Sequence, residues 1–248
     1  MISKGKLGII GGMGSVAAAY FFKRLVELTP ATTDQDYVET FIHNNTAIPD
    51  RTQGILYGGP TPAPELHRSV KILNEMGADY IVIACMTSHY FIPELQKQSR
   101  AVIIDGIAET VRFVATVHPS IKSVGILAST GNIKMSLFQD KFRAAGIKPL
   151  VFDDQDQETY FMEPIYREWG IKAGHITGKP RERFLQGARK LIDAGAEAII
   201  GGCSEVPLVL KPTDFGVPLV DSIDILINGA ISRCLGKDSV ATQIHQQK

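Results

Sequence analysis

Two cysteines stand in matching surroundings and are the residues of this chain best suited to chemistry. Cys85 and Cys203 each end an apolar run, and each lies eight residues after the glycine of a triplet, Gly77-Ala78-Asp79 or Gly195-Ala196-Glu197. A protein thiol acts as a nucleophile or, as a thiolate, as a base. Two thiols on opposite sides of one carbon could remove a proton from one face and return a proton to the other, which inverts a stereocentre without a cofactor.

Other roles are also consistent with a cysteine at either position. A free cysteine is often a buried core residue, which is the alternative for each of the two taken alone. No further Cys or His completes a zinc-ligand pattern around them, so we predict no metal site. Cys234 lies on the last helical pattern without a counterpart and is assigned to the core. Three cysteines are too few for a disulfide framework, which predicts a cytoplasmic protein with reduced thiols.

The elements that must position the two cysteines form a repeated pattern. Short β-rich apolar runs alternate with helical patterns, as in parallel sheets covered by helices on both faces. Gly8 precedes Cys85 by 77 residues and Gly125 precedes Cys203 by 78, each glycine lying in a similar apolar run. The sequence therefore predicts an α/β fold of two pseudo-symmetric domains, each a mostly parallel sheet flanked by helices, with the active site in the cleft between them.

One of the two predicted domains is discontinuous in the sequence. Residues 1–103 together with 220–248 form the N-terminal α/β domain, which carries Cys85, and residues 104–219 form the second, which carries Cys203. Helical patterns in the second domain cover Asn132–Ala145 and Glu158–Ala173. The latter pattern places Lys172 at the end of a helix, where the helix dipole favours a cation.

The charge balance limits the partners of this chain. Lys and Arg total 26 and Asp and Glu total 26, so the formal net charge is zero. Nucleic acids and anionic membranes are bound through basic faces, so neither is a predicted partner. The uncharged stretch Leu7–Phe22, which follows Lys4 and Lys6, has the layout of a signal peptide. However, a similar apolar run recurs at Val124–Leu127. The stretch is also shorter than the length that a membrane-spanning helix needs. We therefore expect a strand, a glycine turn and a helix there.

Five segments of the chain match the pattern of a known family. They are Gly11-Gly12-Met13-Gly14, Asn44-Asn45-Thr46-Ala47-Ile48-Pro49-Asp50-Arg51-Thr52, Ile83–His89 around Cys85, Ile171-Lys172-Ala173-Gly174 and Gly202-Cys203-Ser204-Glu205-Val206-Pro207-Leu208. With these segments the sequence resembles the cofactor-independent aspartate/glutamate racemases, within the wider Asp/Glu/hydantoin racemase group, and is most like the aspartate racemases. The resemblance covers nearly the whole chain.

The resemblance implies the fold described above, a homodimer and a reaction that uses no cofactor. It implies Cys85 and Cys203 as the acid/base residues that interconvert L- and D-aspartate, with glutamate as the next candidate substrate. It also implies that Arg51 and Lys172 bind the side-chain carboxylate, since a guanidinium holds a carboxylate through two hydrogen bonds and an ammonium adds a point charge. A solvated surface cation is the alternative for either residue. The Asn, Thr and Pro residues around Arg51 indicate a binding loop.

The family pattern also implies a set of residues around the α-carboxylate and α-amine of the substrate. One position departs from the pattern, since Met86 stands where the family usually has Asn. Residue 86 therefore keeps only its backbone N–H for binding the substrate. His89 and Glu205 lie near the cysteines in sequence and could tune their proton affinity, or be ordinary loop residues. The other members of the set are Met13, Gly14, Asn45, Thr87, Ser129, Thr130 and Ser204.

Three other functions are weighed against an amino-acid racemase. Gly12–Ala17 fits the G-x-G-x-x-A pattern of a dinucleotide site, but the strand that should end in an acidic residue is predicted to end at His43-Asn44-Asn45. A related isomerase or decarboxylase of a small dicarboxylic acid would keep the fold, and Met86 could mark such a shift. A non-catalytic binder of acidic amino acids gives no reason for a thiol in each domain. The racemase is the function that the sequence favours.

Overall fold

Two compact units make up the part of the chain that the structure, a computed structural model, describes, which is residues 4–236. One unit comprises the residues up to Glu109 and from Ile223 onward, and the other runs from Thr110 to Ser222. Residues 1–3 and 237–248, which belong to the range predicted for the N-terminal domain, lie outside the described residues. Each unit has its own sheet and its own apolar core.

The first unit is built around a four-stranded parallel sheet. Its elements are β1 (Leu7–Gly11), α1 (Ser15–Leu28), a 3-10 turn (Asp34–Asp36), β2 (Thr40–Asn44), α2 (Arg51–Leu56), α3 (Ala63–Glu75), β3 (Tyr80–Ile83), a 3-10 turn (Met86–Phe91), α4 (Ile92–Gln96), β4 (Val102–Ile103) and the start of α5 (Gly106–Val117). The strands pair in the order β2-β1-β3-β4. The central strand β1 is buried along its whole length, as expected for a parallel sheet covered on both faces.

The second unit contains a parallel sheet of the same size. Its elements are β5 (Ser123–Leu127), α6 (Thr130–Lys134), α7 (Leu137–Ala144), β6 (Lys148–Leu150), α8 (Asp154–Gln157), a π turn (Glu158–Met162), α9 (Glu163–Tyr166), a 3-10 turn (Ile171–Ala173), α10 (Lys179–Asp193), β7 (Ala198–Gly201), α11 (Val206–Val209), a 3-10 turn (Pro212–Asp214) and β8 (Leu219–Asp221), after which α12 (Ser222–Leu235) returns to the first unit. The strands pair in the order β6-β5-β7-β8.

The two sheets have the same strand order, which confirms the predicted α/β class with two parallel sheets flanked by helices. In the first sheet Gly8 on β1 pairs with Ile81 on β3, and in the second Gly125 on β5 pairs with Ile199 on β7. The two candidate cysteines each follow that paired isoleucine by four residues. The two cysteines therefore lie at equivalent positions, just after equivalent strands.

The repeated glycine on the central strand lets a helix lie close against each sheet. A Cβ built at Gly8 would lie 2.9 Å from Leu73 Cδ1 on α3, and one built at Gly125 would lie 2.8 Å from Leu191 Cβ on α10. Both distances are shorter than real Cβ contacts, so a larger residue would force Leu73 or Leu191 to shift. The helices that precede the two cysteine-bearing strands are therefore packed in the same way.

The Gly-Ala-acid triplet has the same local role in both units. Gly77 and Gly195 end α3 and α10 with φ of +82° and +100°, a left-handed conformation that favours glycine. The acids that close the triplets, Asp79 and Glu197, each accept a backbone N–H from the residue just before the central strand, at 2.8 Å and 2.5 Å. Each triplet therefore ends a helix and fixes the start of the next strand beside the start of the central one.

The helix predicted over Glu158–Ala173 is wrong at its C-terminal end. It is not continuous, because α9 ends at Tyr166 and Gly170 has extended φ and ψ of −92° and 179°. Lys172 lies in a separate 3-10 turn instead of at the end of a helix. Lys172 therefore does not stand at the end of an α-helix, where a helix dipole would favour its charge.

Two other local expectations differ from the structure. Arg51 is the first residue of α2 and not part of a loop, because the Asp50 side chain accepts the N–H of Gln53 at 2.9 Å and caps a short helix there. The helix predicted over Asn132–Ala145 is divided into α6 and α7 at Ser136. The φ of Ser136 is 53°, a left-handed conformation that costs about 1–2 kcal/mol in a residue with a Cβ.

Candidate active site

Cys85 stands at the carboxyl end of β3, directly before a 3-10 turn. The residue is buried, with 6% of its surface exposed. Its carbonyl oxygen accepts the N–H of Ser88 at 3.1 Å and lies 3.1 Å from His89 Nδ1. The Nδ1 of His89 therefore contacts the backbone of Cys85, where it stabilises the turn that carries the thiol.

Arg51 and Met13 join the loops that follow β1 and β2. Arg51 is buried, and its guanidinium donates to the carbonyl oxygens of Met13 at 3.2 Å and Pro49 at 3.0 Å. The Ser88 hydroxyl lies 2.9 Å from Met13 Sδ, which connects this pair to the turn after Cys85. These loops therefore form one cluster in the first unit, and Arg51 is not a solvated surface cation.

Asn45 links the same cluster to α3. Its backbone packs against Gly12, where a Cβ would lie 2.2 Å from the Asn45 carbonyl oxygen, so only glycine fits. The Asn45 amide donates to the Glu65 carboxylate at 2.9 Å and accepts from Arg68 at 2.7 Å. Hydrogen bonds from Arg68 and then Asn45 lower the pKa of Glu65. The side chain of Asn45 therefore makes hydrogen bonds within the protein, and its predicted place beside the substrate stays a prediction.

The remaining predicted residues of the first unit flank these loops. Gly14 has a φ of 136°, and its carbonyl oxygen accepts the N–H of Ala18, so it begins α1. Met86 and Thr87 are both buried in the turn after the cysteine. A Cβ at Gly106, the first residue of α5, would lie 3.0 Å from Met86 Cε. Met86 therefore packs its thioether against the start of α5, where the family pattern has an amide.

Cys203 is hydrogen-bonded to a carboxylate. It follows β7 as Cys85 follows β3, and its Sγ lies 2.9 Å from Glu205 Oε2. The Ser204 hydroxyl donates to the same oxygen at 3.0 Å. Glu205 is only 4% exposed, so its carboxylate accepts both bonds in a place sheltered from water. In this arrangement the thiol of Cys203 is the donor and Glu205 is the acceptor.

Ser129 and Thr130 follow β5 and begin α6. The Ser129 hydroxyl accepts an N–H from the first turn of α6 at 3.3 Å and caps the helix. The N–H of Thr130 lies 3.4 Å from Met162 Sδ, and the Gln157 amide donates to the Ala128 carbonyl oxygen at 2.9 Å. No motif surrounds Gln157 and Met162, so these two contacts could not be predicted from the sequence.

Lys172 lies on the surface of the second unit. Its Nζ is 4.7 Å from the centroid of the Tyr166 ring, which is a cation–π geometry. Both side chains are exposed to solvent. The two cations predicted to bind a carboxylate therefore have different surroundings, since Arg51 is buried and Lys172 is not.

Cys234 differs from the other two cysteines. It lies within α12 and is buried, whereas the other two lie at strand ends. Burial raises the pKa of its thiol to about 12. Cys234 therefore stays protonated at neutral pH, which makes it a useful control for the loss of a thiol.

Residues 4–236 contain no group of three or more His, Cys, Asp or Glu side chains placed to hold a metal ion. Over the same described range, no helix combines the length and the apolar character needed to cross a bilayer.

The fold and these residues define an α/β protein of two units with the same strand order, each with a buried thiol at the end of its third strand. A sequence profile for the family described as Asp/Glu/Hydantoin racemase matches residues 10–230. The chain therefore belongs to the Asp/Glu/hydantoin racemase family, which confirms the resemblance seen in its sequence. It is an amino-acid racemase of this family and hence an isomerase.

Similar proteins match the chain over half to nearly all of its length. The broad specificity amino-acid racemase RacX of Bacillus subtilis (strain 168) is 23% identical over 257 residues, which is 97% of this chain and 99% of that protein. The solved structure of Picrophilus torridus aspartate racemase has a TM-score of 0.81 at 25% identity, over 95% of this chain and 96% of that one. The glutamate racemase of Aquifex pyrophilus is 27% identical over 139 residues, 56% of this chain and 51% of that protein.

Proposed function

We propose that the protein interconverts L- and D-aspartate, with glutamate as the next candidate, and that Cys85 and Cys203 exchange protons with opposite faces of Cα. The observation that carries this proposal is the equivalent position of the two thiols, at the carboxyl ends of β3 and β7. Ligands of open parallel α/β folds bind at these strand ends. The similarity to the aspartate racemase of Picrophilus torridus supports aspartate as the first substrate to test.

The proposed reaction moves one proton off Cα and another onto it. One cysteine, as a thiolate, takes the Cα proton and becomes a thiol, while the electron pair of the broken bond stays on carbon. The other cysteine, as a thiol, gives its proton to the opposite face and becomes a thiolate. Substrate and product have the same composition, so the step needs no oxidant and no reductant.

Glu205 distinguishes the two cysteines before substrate binds. Because Glu205 Oε2 accepts the thiol hydrogen of Cys203, we propose Cys203 as the acid of the first step and Cys85 as its base. One turnover leaves the proton on Cys85 instead. The starting state returns when Cys85 releases its proton to solvent and Cys203 regains one.

Binding of the substrate must make its Cα proton removable, because that proton is far less acidic than a thiol. Preorganised donors around the α-carboxylate would stabilise the negative charge that develops there. We propose that Arg51 and Lys172 bind the side-chain carboxylate. The groups proposed at the α-carboxylate and α-amine are Asn45, the hydroxyls of Thr87, Ser129, Thr130 and Ser204 and the backbone of Met13, Gly14 and Met86. The side chain of Asn45 also holds its loop through Glu65 and Arg68.

A related isomerase or decarboxylase of a small dicarboxylic acid is the second candidate, and Met86 is the observation that favours it. The thioether of Met86 packs against α5 and cannot replace the hydrogen bonds of an amide. A decarboxylase with one base needs one thiol only. It would tolerate Cys203→Ser, whereas a racemase that uses two thiols would not.

Hydrogen exchange in D₂O tests the proposed function. The reduced protein is incubated without added cofactor with L-aspartate, L-glutamate and a panel of other amino acids, because the Bacillus subtilis relative is named a broad specificity racemase. Proton NMR follows the loss of the Cα–H signal, and chiral chromatography follows handedness. We expect exchange with inversion of aspartate, lost in Cys85→Ser and in Cys203→Ser and retained in Cys234→Ser. Absence of exchange with aspartate and glutamate would contradict the proposed substrates.

We also propose that the chain forms a homodimer in the cytoplasm. The dimer rests on the family resemblance, and the location rests on the three free cysteines. Light scattering coupled to size-exclusion chromatography is expected to give the mass of two chains. An active protein that elutes with the mass of one chain would contradict the proposed dimer.

A further inference from the structure

A π turn interrupts the helical segment that runs from α8 to α9. Residues Glu158–Met162 form this turn, between Asp154–Gln157 and Glu163–Tyr166. π turns are rare, and those found within helices lie frequently at functional sites. This one contacts the loop that follows β5, where Ser129 and Thr130 lie.

Two side chains from this segment bind the backbone on either side of Ser129. The Gln157 amide, which is 4% exposed, donates to the carbonyl oxygen of Ala128 at 2.9 Å. The Sδ of Met162 accepts the N–H of Thr130 at 3.4 Å. The backbone is thus held on both sides of Ser129, at a carbonyl oxygen before it and at an N–H after it.

The π turn is what allows both contacts. Gln157 and Met162 are five residues apart, and in a regular α-helix residues five apart point in directions that differ by about 140°. A π turn contains an extra residue, which brings residues five apart closer to the same side. Both side chains therefore reach the same loop.

Packing against α10 holds the π turn in place. A Cβ at Gly187 on α10 would lie 2.8 Å from Tyr160 Cβ, so the turn and the helix approach closely only because residue 187 is glycine. The rings of Phe161 and Phe184 stand 5.1 Å apart beside this contact, and both are fully buried. The turn is therefore a well-packed element of the second unit.

We propose that Gln157 and Met162 are positioning residues of the racemase reaction, which act by fixing the backbone from Ala128 to Thr130. This proposal rests on the proposed function, in which the hydroxyls of Ser129 and Thr130 contact the substrate. Donors that stabilise a developing charge must already be in place when the proton leaves, because their reorganisation would add to the barrier. The hydrogen bonds of Gln157 and Met162 hold these donors in place, although neither side chain contacts the substrate.

Variants of Gln157 separate positioning from stability. Gln157→Leu removes the hydrogen bond to Ala128, so we expect kcat to fall about tenfold with KM changed less, and hydrogen exchange of the Thr130 amide to become faster. Gln157→Glu cannot donate when ionised. Because burial favours a neutral carboxyl, its activity relative to the unmutated protein should recover at acidic pH, where the carboxyl donates again. Gln155→Leu, on the exposed side of the same helix, is the matched control.

A variant of Met162 tests the second contact. Met162→Leu keeps the volume but removes the acceptor, and is expected to speed exchange of the Thr130 amide and to lower kcat a few-fold.

The outcomes distinguish this proposal from the proposed function. If the unmutated protein racemises aspartate and the Gln157 variants keep kcat within twofold, the positioning role is wrong and the function stands. If kcat falls only in proportion to a loss of folded protein, and Gln157→Glu shows no recovery in acid, the residues are structural only. If the unmutated protein racemises no amino acid, the function fails, and the positioning role fails with it.

Discussion

The thiol of Cys203 donates to Glu205 Oε2 across 2.9 Å, and the residue at the corresponding position after Cys85 is the uncharged Thr87. The two thiols occupy equivalent places in the fold but differ in the charge that follows them in sequence. The proposed mechanism needs one thiol and one thiolate at the start of a turnover. We propose that the buried carboxylate of Glu205, beside Cys203, provides that difference before any substrate binds.

Replacing Glu205 by glutamine tests this relationship. The amide keeps the shape of the side chain but removes the negative charge that holds the thiol proton, so we expect kcat to fall roughly 100-fold with a smaller change in KM. Racemisation rates measured from each enantiomer and a melting curve report the effect. Glu168→Gln, at an exposed position of the second unit, is the control and should behave as the unmutated protein.

The equal free energies of two enantiomers provide an internal check on that experiment. At equilibrium the mixture is racemic, so kcat/KM must fall by the same factor from L-aspartate and from D-aspartate. The separate kcat values are free to change unequally, and an unequal change would show that Glu205 sets the starting protonation state. Unchanged kcat values in a stably folded Glu205→Gln variant would refute its role.

Tyr166 is expected to support substrate binding through Lys172. The ring lies 4.7 Å from the Lys172 ammonium, and an exposed cation–π contact is worth about 0.5–1 kcal/mol. Tyr166→Leu should therefore raise KM for aspartate about two- to fivefold with little change in kcat, while Tyr166→Phe, which keeps the ring, should have a normal KM. Steady-state kinetics on both variants measure this, and equal KM values for the two would argue against the contact.

The architecture could be predicted because short local signals encode it in both halves. Only glycine fits at Gly125, where α10 approaches the central strand, and glycine is favoured at Gly195, where that helix ends. The two glycines therefore show in the sequence where the strand and the end of the helix lie. The same signals recur at Gly8 and Gly77 in the first unit. A repeat of these required glycines predicts two like α/β halves and a cysteine at the same position in each half.

The surroundings of the site could not be predicted in the same way, since they depend on packing between distant segments. The apolar pattern continues past Tyr166 into Ile171, so it gave no sign that the helix ends before Lys172. The contact of Gln157 with Ala128 joins residues 29 positions apart through a π turn. Such a turn has no sequence signature, because its side chains are those of an ordinary helix.

Asp214 is expected to make stability depend on pH. Arg181 binds both oxygens of Asp214, at 2.9 and 2.7 Å, and the N–H of Lys211 adds a third bond at 2.7 Å. The hydrogen bonds from Arg181 are the main cause that lowers the pKa of Asp214. A carboxyl with a lower pKa when folded stabilises the fold above its unfolded pKa of about 3.9, and that contribution is lost as pH falls through the folded pKa.

Urea unfolding of Asp214→Asn measures this contribution. We expect Asp214→Asn to lower the free energy of unfolding by about 1–2 kcal/mol at pH 7. This difference from the unmutated protein should become smaller below about pH 4. Asp140→Asn, which breaks an exposed pair with Arg143, is the control and should cost under about 0.5 kcal/mol at either pH. A loss for Asp214→Asn that stays constant down to pH 2 would show that the ionised carboxylate is not its source.

The glycine of the second central strand supplies the last prediction. A methyl group at Gly125 would lie 2.8 Å from Leu191 Cβ. This Cβ is bonded to the backbone of α10, so it can move only if the helix moves. Gly125→Ala is therefore expected to lower the free energy of unfolding by about 2 kcal/mol. Gly216→Ala, where no atom lies within 4 Å of the added carbon, should change it by less than about 0.5 kcal/mol. Because α10 leads into β7 and Cys203, the Gly125 variant should also lose racemase activity beyond its loss of folded protein. Activity that merely follows the folded fraction would mean that the helix returns to its position against the sheet.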